Sequence, residues 1–438
     1  MALEGEMAVV SGGTAFAIKF NTLQVDKLFD YDFSTVSPVS AKYFDNATNY
    51  TLFKGSGFTF DTTNAPTGGT VTSVQYVINN STALLITGLS IAATTVRDFA
   101  SQNNTQGLLS LALSGADTLN GTRLADVLSG YAGNDILKGG GGKDVLDGGT
   151  GADTALYTDK TAAVTVTLKG ATNVKVTVGG VAEDKIRNIE NVTGGSGADK
   201  LTGDRLANVL NGGAGNDTLW GGGGADTLIG GRGNDSLNGN SGSDTVDYSR
   251  DAASGGTRGV IVNLLGTGAQ GGLSADTAKD GFGNTDTVKN IPNVIGTKFN
   301  DAIYGGNHAN TLSGGAGNDL INGGLGKDVL IGGAGNDTFF FNSALGSTNI
   351  DTIRDFVVVN DTVQLENAIF TALSVTGTLA ATAFHIGTAA ADASDRIIYN
   401  AATGALSYDK DGTGVAAAVQ FATVGHDLVM TNADFFIV

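Results

Sequence analysis

Cysteine is absent from the 438 residues, which excludes disulfides, Cys-ligated zinc and thiol catalysis. Only three histidines occur, His308, His385 and His426, too few for a histidine-rich metal site. Basic residues are short: 25 Lys+Arg stand against 43 Asp+Glu, a formal net charge of −18. That deficit excludes nucleic acid as a natural partner, because a polyanion would be repelled. It also disfavours anionic membrane surfaces unless a cation bridges the charges. No apolar run approaches the roughly 18 residues that a spanning helix needs, so no integral membrane insertion is expected. The opening MALEGEMAVVSGGTAF lacks the basic start and apolar stretch of a cleaved signal peptide. Glutamate is scarce as well: Glu4, Glu6, Glu183, Glu190 and Glu366 are the only five, leaving 38 aspartates. Helix surfaces favour Glu, whereas Asp suits turns. The acidity belongs to turns.

Glycine is what the chain has in excess, 67 residues, of which 51 fall within 111–341. There the sequence keeps a period of nine. Aspartate recurs as Asp117, Asp126, Asp135, Asp144 and Asp153, then Asp199, Asp217, Asp226, Asp235 and Asp244, then Asp301, Asp319, Asp328 and Asp337. The two missing steps are Asn208 and Asn310, which keep a carbonyl oxygen and lose the charge. Residues 212–238 read GGAGNDTLW, GGGGADTLI, GGRGNDSLN, so each unit is G-G-x-G-x-D-x-U-x with U apolar.

A longer repeat is superposed: DKIRNIENVTG (184–194) aligns with DTVKNIPNVIG (286–296). Three repeat blocks therefore lie near 115–157, 194–248 and 296–341, separated by Val/Thr/Leu-rich insertions that read as short hairpins. Bulkier coils at 121–129 and 203–211 suggest the ends of stacks. The expected organisation is a β-rich domain over 1–110, a first block with its insertion over 111–193, and a second over 194–295. A third block follows over 296–341, then a β-rich region over 342–438. AATTVRDFASQ (92–102) is the one expected helix, and RIIYNAATGALSYDKDG (396–412) a hairpin.

Glycine-rich hexapeptides can make tight turns with positive φ, and the remaining x-U-x suffices for a short strand with one inward side chain. Two nonapeptides then complete an 18-residue coil, and turns on one edge stack ~4.8 Å apart. At that spacing two carboxylates repel by roughly 0.9 kcal/mol in water and ~3.5 kcal/mol at an effective dielectric of 20. A hard divalent cation reverses the sign. Ca²⁺ accepts six to eight oxygens in flexible geometry, carbonyls included, whereas Mg²⁺ prefers small octahedral sites and its own waters. The expected pairs are 117/135, 126/144 and 135/153, then 199/217, 217/235 and 226/244, then 301/319 and 319/337. About eight calcium ions or more would nearly cancel the charge excess.

The nonapeptides resemble those of the RTX (repeats-in-toxin, hemolysin-type) family of secreted calcium-binding proteins. The resemblance implies an all-β fold, a parallel, right-handed β-roll that binds calcium between turns. DTIRDFVVVNDTVQLEN (351–367) and the end ADFFIV (433–438) are similar to serralysin-type exoproteins. That likeness implies an uncleaved C-terminal signal around Asp434 and export by a type I ABC transporter of a Gram-negative bacterium.

Catalytic motifs are missing: neither H-E-x-x-H nor G-x-S-x-G occurs, which excludes the zinc-protease and lipase signatures. Asp26, Asp30 and Asp32 form an acidic cluster read as a solvated turn, and DKDGTG (409–414) resembles a calcium loop without its distal Glu. The expected function is calcium-dependent interaction outside the cell: adhesion, surface-layer or matrix assembly, or host contact through a cell-surface or glycan target. The alternative is an enzyme, of polysaccharide-modifying type, with its active site in residues 1–110.

Overall fold

A strand of three residues can hide only its middle side chain, and the nonapeptides are built on that limit. Thr118–Asn120, Ile136–Lys138, Thr154–Leu156 and Asn191–Thr193 form one parallel row. Val127–Ser129 and Val145–Asp147 pair in a second row. Leu119 lies beside Leu137, and Leu128 beside Leu146, all four fully buried. Their neighbours within each strand are less covered, as a period of two requires. Each such leucine contributes roughly 1.5–3 kcal/mol. This is a parallel β-roll.

The computed structural model describes residues 9–12, 33–37, 39–46, 49–60, 65–78, 81–102 and 105–438. The chain forms two units, one of residues 1–204 with 208–210, the other of 205–207 with 211–438. The division falls inside the second repeat block rather than at a block boundary. Asp26, Asp30 and Asp32 lie outside the described residues.

In the first unit, five antiparallel strands from Phe33–Ser37 to Ser81–Ala92 form a sheet. Val9–Gly12 pairs antiparallel with Ser81–Ala92 on one side and parallel with Thr118–Asn120 on the other, tying this sheet to the first coil. The expected helix is Ala93–Ser101. A second, Thr105–Ala112, follows it, and Ala93, Val96, Leu108 and Leu109 are buried among the described side chains of the pair.

The insertion is a meander of Val164–Thr167, Val174–Val178 and Val181–Arg187. Its outer strands each pair in parallel with a roll strand, Val145–Asp147 and Lys200–Thr202. The hairpin expected there is thus a third strand richer and woven into the row. The coil over 203–211 does not close a stack either. Val209 donates its N–H to Asn191, continuing the row, while Leu124 and Leu206 are 44% and 55% exposed.

The second unit repeats the insertion with Ile261–Asn263, Thr277–Lys279 and Thr285–Lys289 between Ser236–Ser241 and Ala302–Tyr304. Its rows then run past the last nonapeptide. Val329–Ala334 pairs with Asp351–Ile353, and that strand with Val419–Thr423. Thr338–Phe341 pairs with Thr362–Leu365, and that strand with Phe435–Ile437. Phe339, Val363 and Phe435 therefore continue the inward row. The hairpin of Ile397–Asn400 and Ala405–Tyr408 is found as expected. Among the described residues no helix is long and apolar enough to cross a membrane.

Candidate metal centre

The stacked turns take their geometry from glycine at positions where no side chain fits. At Gly335 φ is +150°, and a Cβ would lie 1.8 Å from the carbonyl oxygen of Gly317 one coil below. At Gly332 a Cβ would lie 2.4 Å from Asp337 Oδ2. The first glycine of the unit is thus required by the carboxylate that packs over it.

Each carboxylate has a fixed use for one oxygen. Oδ1 accepts the backbone N–H of the aspartate 18 residues earlier, at 2.8–2.9 Å for 117/135, 126/144, 135/153, 217/235, 226/244, 301/319 and 319/337. The 18-residue register predicted from the period is the register seen within both units. The other oxygen is taken up at Asp126, Asp199 and Asp301, where Oδ2 accepts the N–H of Thr122, Gly195 and Thr297 at 2.6–2.7 Å, and is left over at seven others. Oδ2 of Asp135, Asp144, Asp153, Asp235, Asp244, Asp319 and Asp328 is buried with no hydrogen-bond partner, in residues at most 3% exposed. A buried acceptor without a partner costs on the order of 1–3 kcal/mol, more when charged.

The protonation balance reports the same strain. Burial pushes Asp135, Asp144 and Asp319 up to about 7, against the N–H bonds that pull them down, and the neighbouring aspartates push further. Burial likewise raises Asp153, Asp235 and Asp328 to about 6. A row of hard, anionic, unsatisfied oxygens beside backbone carbonyls fits Ca²⁺ in its ligand chemistry. Among the described residues no three His, Cys, Asp or Glu side chains form a metal cage by themselves, as expected where carbonyls supply the rest of the shell.

Asn208 and Asn310 depart from the expectation that they are metal ligands. Asn310 Oδ1 accepts the N–H of Gly306 at 2.8 Å, and its Nδ2 donates to the carbonyl of Pro292 at 2.6 Å. Asn208 does the same with Asp204 and Glu190, both at 2.8 Å. The amide donates to a carbonyl 18 residues earlier, so it takes for itself an oxygen that a cation would need.

Other ligands in the ladder were not legible from the period of nine. Asp184 Oδ1 accepts from Asp144, and Asp286 Oδ1 from Asp235, carrying the ladder across each insertion. Glu190 serves Asp153, while Asp351 and Asp361 extend the ladder beyond the last unit by accepting from Asp328 and Asp337. The signal for two of them was present: Asp184 and Asp286 open the two aligned segments of the longer repeat. A second ladder runs through the residue before the aspartate, with Asn216 accepting from Asn234 and Asn318 from Asn336 at 2.9 Å. His308 is an exposed turn residue, and His426 bonds only its exposed neighbour Asp427.

Fold and turns together define a calcium-binding β-roll. Its repeats are RTX calcium-binding nonapeptide repeats: the family model of that description, four copies long, matches residues 112–142, 120–155, 193–228, 220–252, 293–321 and 304–339. No curated protein matches the chain's sequence. Among solved structures, the chain is similar to the extracellular lipase LipA from Serratia marcescens at 13% identity and a TM-score of 0.16. The match covers 74% of this chain and 38% of the lipase. A likeness that slight carries no argument about fold or activity.

Proposed function

We propose that the protein works outside the cell as a calcium-folded interaction protein, in adhesion, surface-layer or matrix assembly, or host contact. The observation that carries this reading is the series of buried Oδ2 atoms without partners on stacked turns. Calcium binding energy then becomes folding energy, as in other metal-dependent domains. Where calcium is scarce, inside a cell, the repeats stay unfolded. Where it reaches ~10⁻⁴–10⁻³ M, the range of extracellular modules, they fold. Several ions are bound, about eight or more. A type I ABC transporter is the export route that suits a chain kept unfolded until it leaves. Asp434 supports an order of export first and folding second, because it is buried and caps the turn that leads into Phe435–Ile437.

Far-UV circular dichroism of the full chain should lose most of its β signal in chelator and regain it in millimolar calcium. Full β content in chelator would defeat the reading.

A further inference from the structure

The two insertions meet the roll through equivalent residues. Tyr157 and Lys160 of the first correspond to Tyr248 and Asp251 of the second, Asp144 to Asp235, and Asp184 to Asp286. Both junctions share the same frame: the N–H of Asp144 donates to Asp184 at 2.8 Å, and that of Asp235 to Asp286 at 2.9 Å. They differ in what faces the frame.

In the first unit the facing group is a cation. Lys160 Nζ donates to the carbonyl of Gly140, a turn oxygen, and to Glu183 Oε1. Its charge acts on both Asp144 and Asp184. An ammonium on a carbonyl, a carboxylate and two further aspartates does the work of a bound metal ion with a covalently attached group.

In the second unit that lysine is an aspartate. Asp251 is 2% exposed, Asp235 is 3% exposed, and Asp280 and Asp286 are fully buried. The charged groups acting on Asp235, Asp251 and Asp286 are one another, Asp280 and Asp247. Hydrogen bonds settle part of the cluster. Tyr248 donates to Asp286 Oδ2 at 3.1 Å, Gly281 N–H to Asp251 Oδ2 at 2.8 Å, and Asn284 N–H to Asp280 Oδ1 at 2.6 Å. Asp235 Oδ2 remains buried without a partner.

We infer that the second insertion junction binds a divalent cation, calcium by its all-oxygen chemistry, at the place that Lys160 fills in the first. Asp235 and Asp251 are its proposed carboxylate ligands, with Asp286 and Asp280 supplying charge around them. The inference rests on the calcium reading of the roll, shares Asp235 with the nonapeptide ladder, and adds Asp251 from outside it.

Counting calcium ions per full-length chain by native mass spectrometry at saturating calcium tests it. Asp251→Lys should bind one ion fewer than the parent, and Lys160→Asp one ion more. A gain cannot come from misfolding, so the second variant keeps the test decisive if the first fails to fold. An unchanged count for Lys160→Asp would overturn the inference, and so would an unchanged count for a folded Asp251→Lys. A parent chain that binds no calcium would instead overturn the reading of the roll itself.

Discussion

Buried aspartates occur both in the nonapeptide turns and in the C-terminal segment, and they are completed in different ways. Asp395 Oδ2 accepts the N–H groups of Ala391 and Asp392. Asp409 Oδ1 accepts those of Asp411 and Gly412, and Asp434 Oδ2 that of Thr431. Each carboxylate is held by its own loop within a few residues. In the roll, Oδ1 of Asp319 reaches the N–H of Asp301, 18 residues earlier, and its Oδ2 has no partner, whereas Asp126, Asp199 and Asp301 turn Oδ2 onto an N–H of their own turn. The packing differs in parallel. The C-terminal segment builds an aromatic cluster, with Phe370 set edge-on to Tyr408 and to Phe421, each at 5.2 Å. Most three-residue strands of the roll bury a single aliphatic side chain, such as Leu119, Leu128, Leu137 and Leu146. Burial alone therefore does not make an aspartate a calcium ligand; what matters is whether the local backbone has already satisfied it.

Removing one carboxylate of each kind sharpens this contrast most. Asp319→Ala should raise the calcium midpoint of folding several-fold, because Asp319 lies between Asp301 and Asp337 in the ladder. Asp409→Ala should leave the midpoint where it is and lower stability by about 1–3 kcal/mol, the cost of its stranded N–H groups. Calcium titrations followed by circular dichroism, with thermal melts at saturating calcium, separate the two. Equal midpoint shifts would erase the distinction.

Acid should act on the roll in the opposite sense to its usual one. Without calcium, the folded turns hold aspartates raised to about 6 or 7, and Asp351 to about 8, from the ordinary 3.8 of an exposed aspartate. The folded chain therefore binds more protons than the unfolded one, so its stability rises as pH falls. The gain begins near pH 8 and is complete below about pH 4. In chelator the β signal should grow as pH is lowered through that window, while at fixed calcium the protons compete with the ion. A chelated chain that loses structure steadily on acidification from pH 8 would contradict this.

The smallest expected effect is at a turn that completes itself. Asn310→Asp removes the amide that donates to Pro292 and leaves a carboxylate in its place. One further calcium ion per chain is expected by the same ion count, with only a small change in the midpoint. No added ion would mean that the asparagine turns are closed to calcium for a reason beyond their own hydrogen bonds.

Much of this was readable in the residues because a strict period carries its own geometry. Once Asp and Gly recur every nine residues with one apolar residue between, the coil length and the 18-residue pairing follow. The insertions were less readable, since alternating Val and Thr announce strands but not partners. Thr105–Ala112 was missed because Gly107, near its start, weakens any helical signal. Asn208 and Asn310 look like weakened ligands in a list of phases. Only their placed amides, donating to Glu190 and Pro292, show that they close their turns unaided.

By itself the sequence determined the repeat, the edge on which the carboxylates stack, the excess of negative charge and the need for a hard cation. These are local or periodic properties, and each nonapeptide states them again. Tertiary structure decided how the ladder crosses the insertions, through Asp184 and Asp286, and how it continues past the last nonapeptide to Asp351 and Asp361. It also decided that Lys160 faces one junction where Asp251 faces the other. Those partners are 20 to 51 residues apart in sequence. No spacing rule links them, because the length of an inserted meander does not constrain which of its side chains returns to the roll.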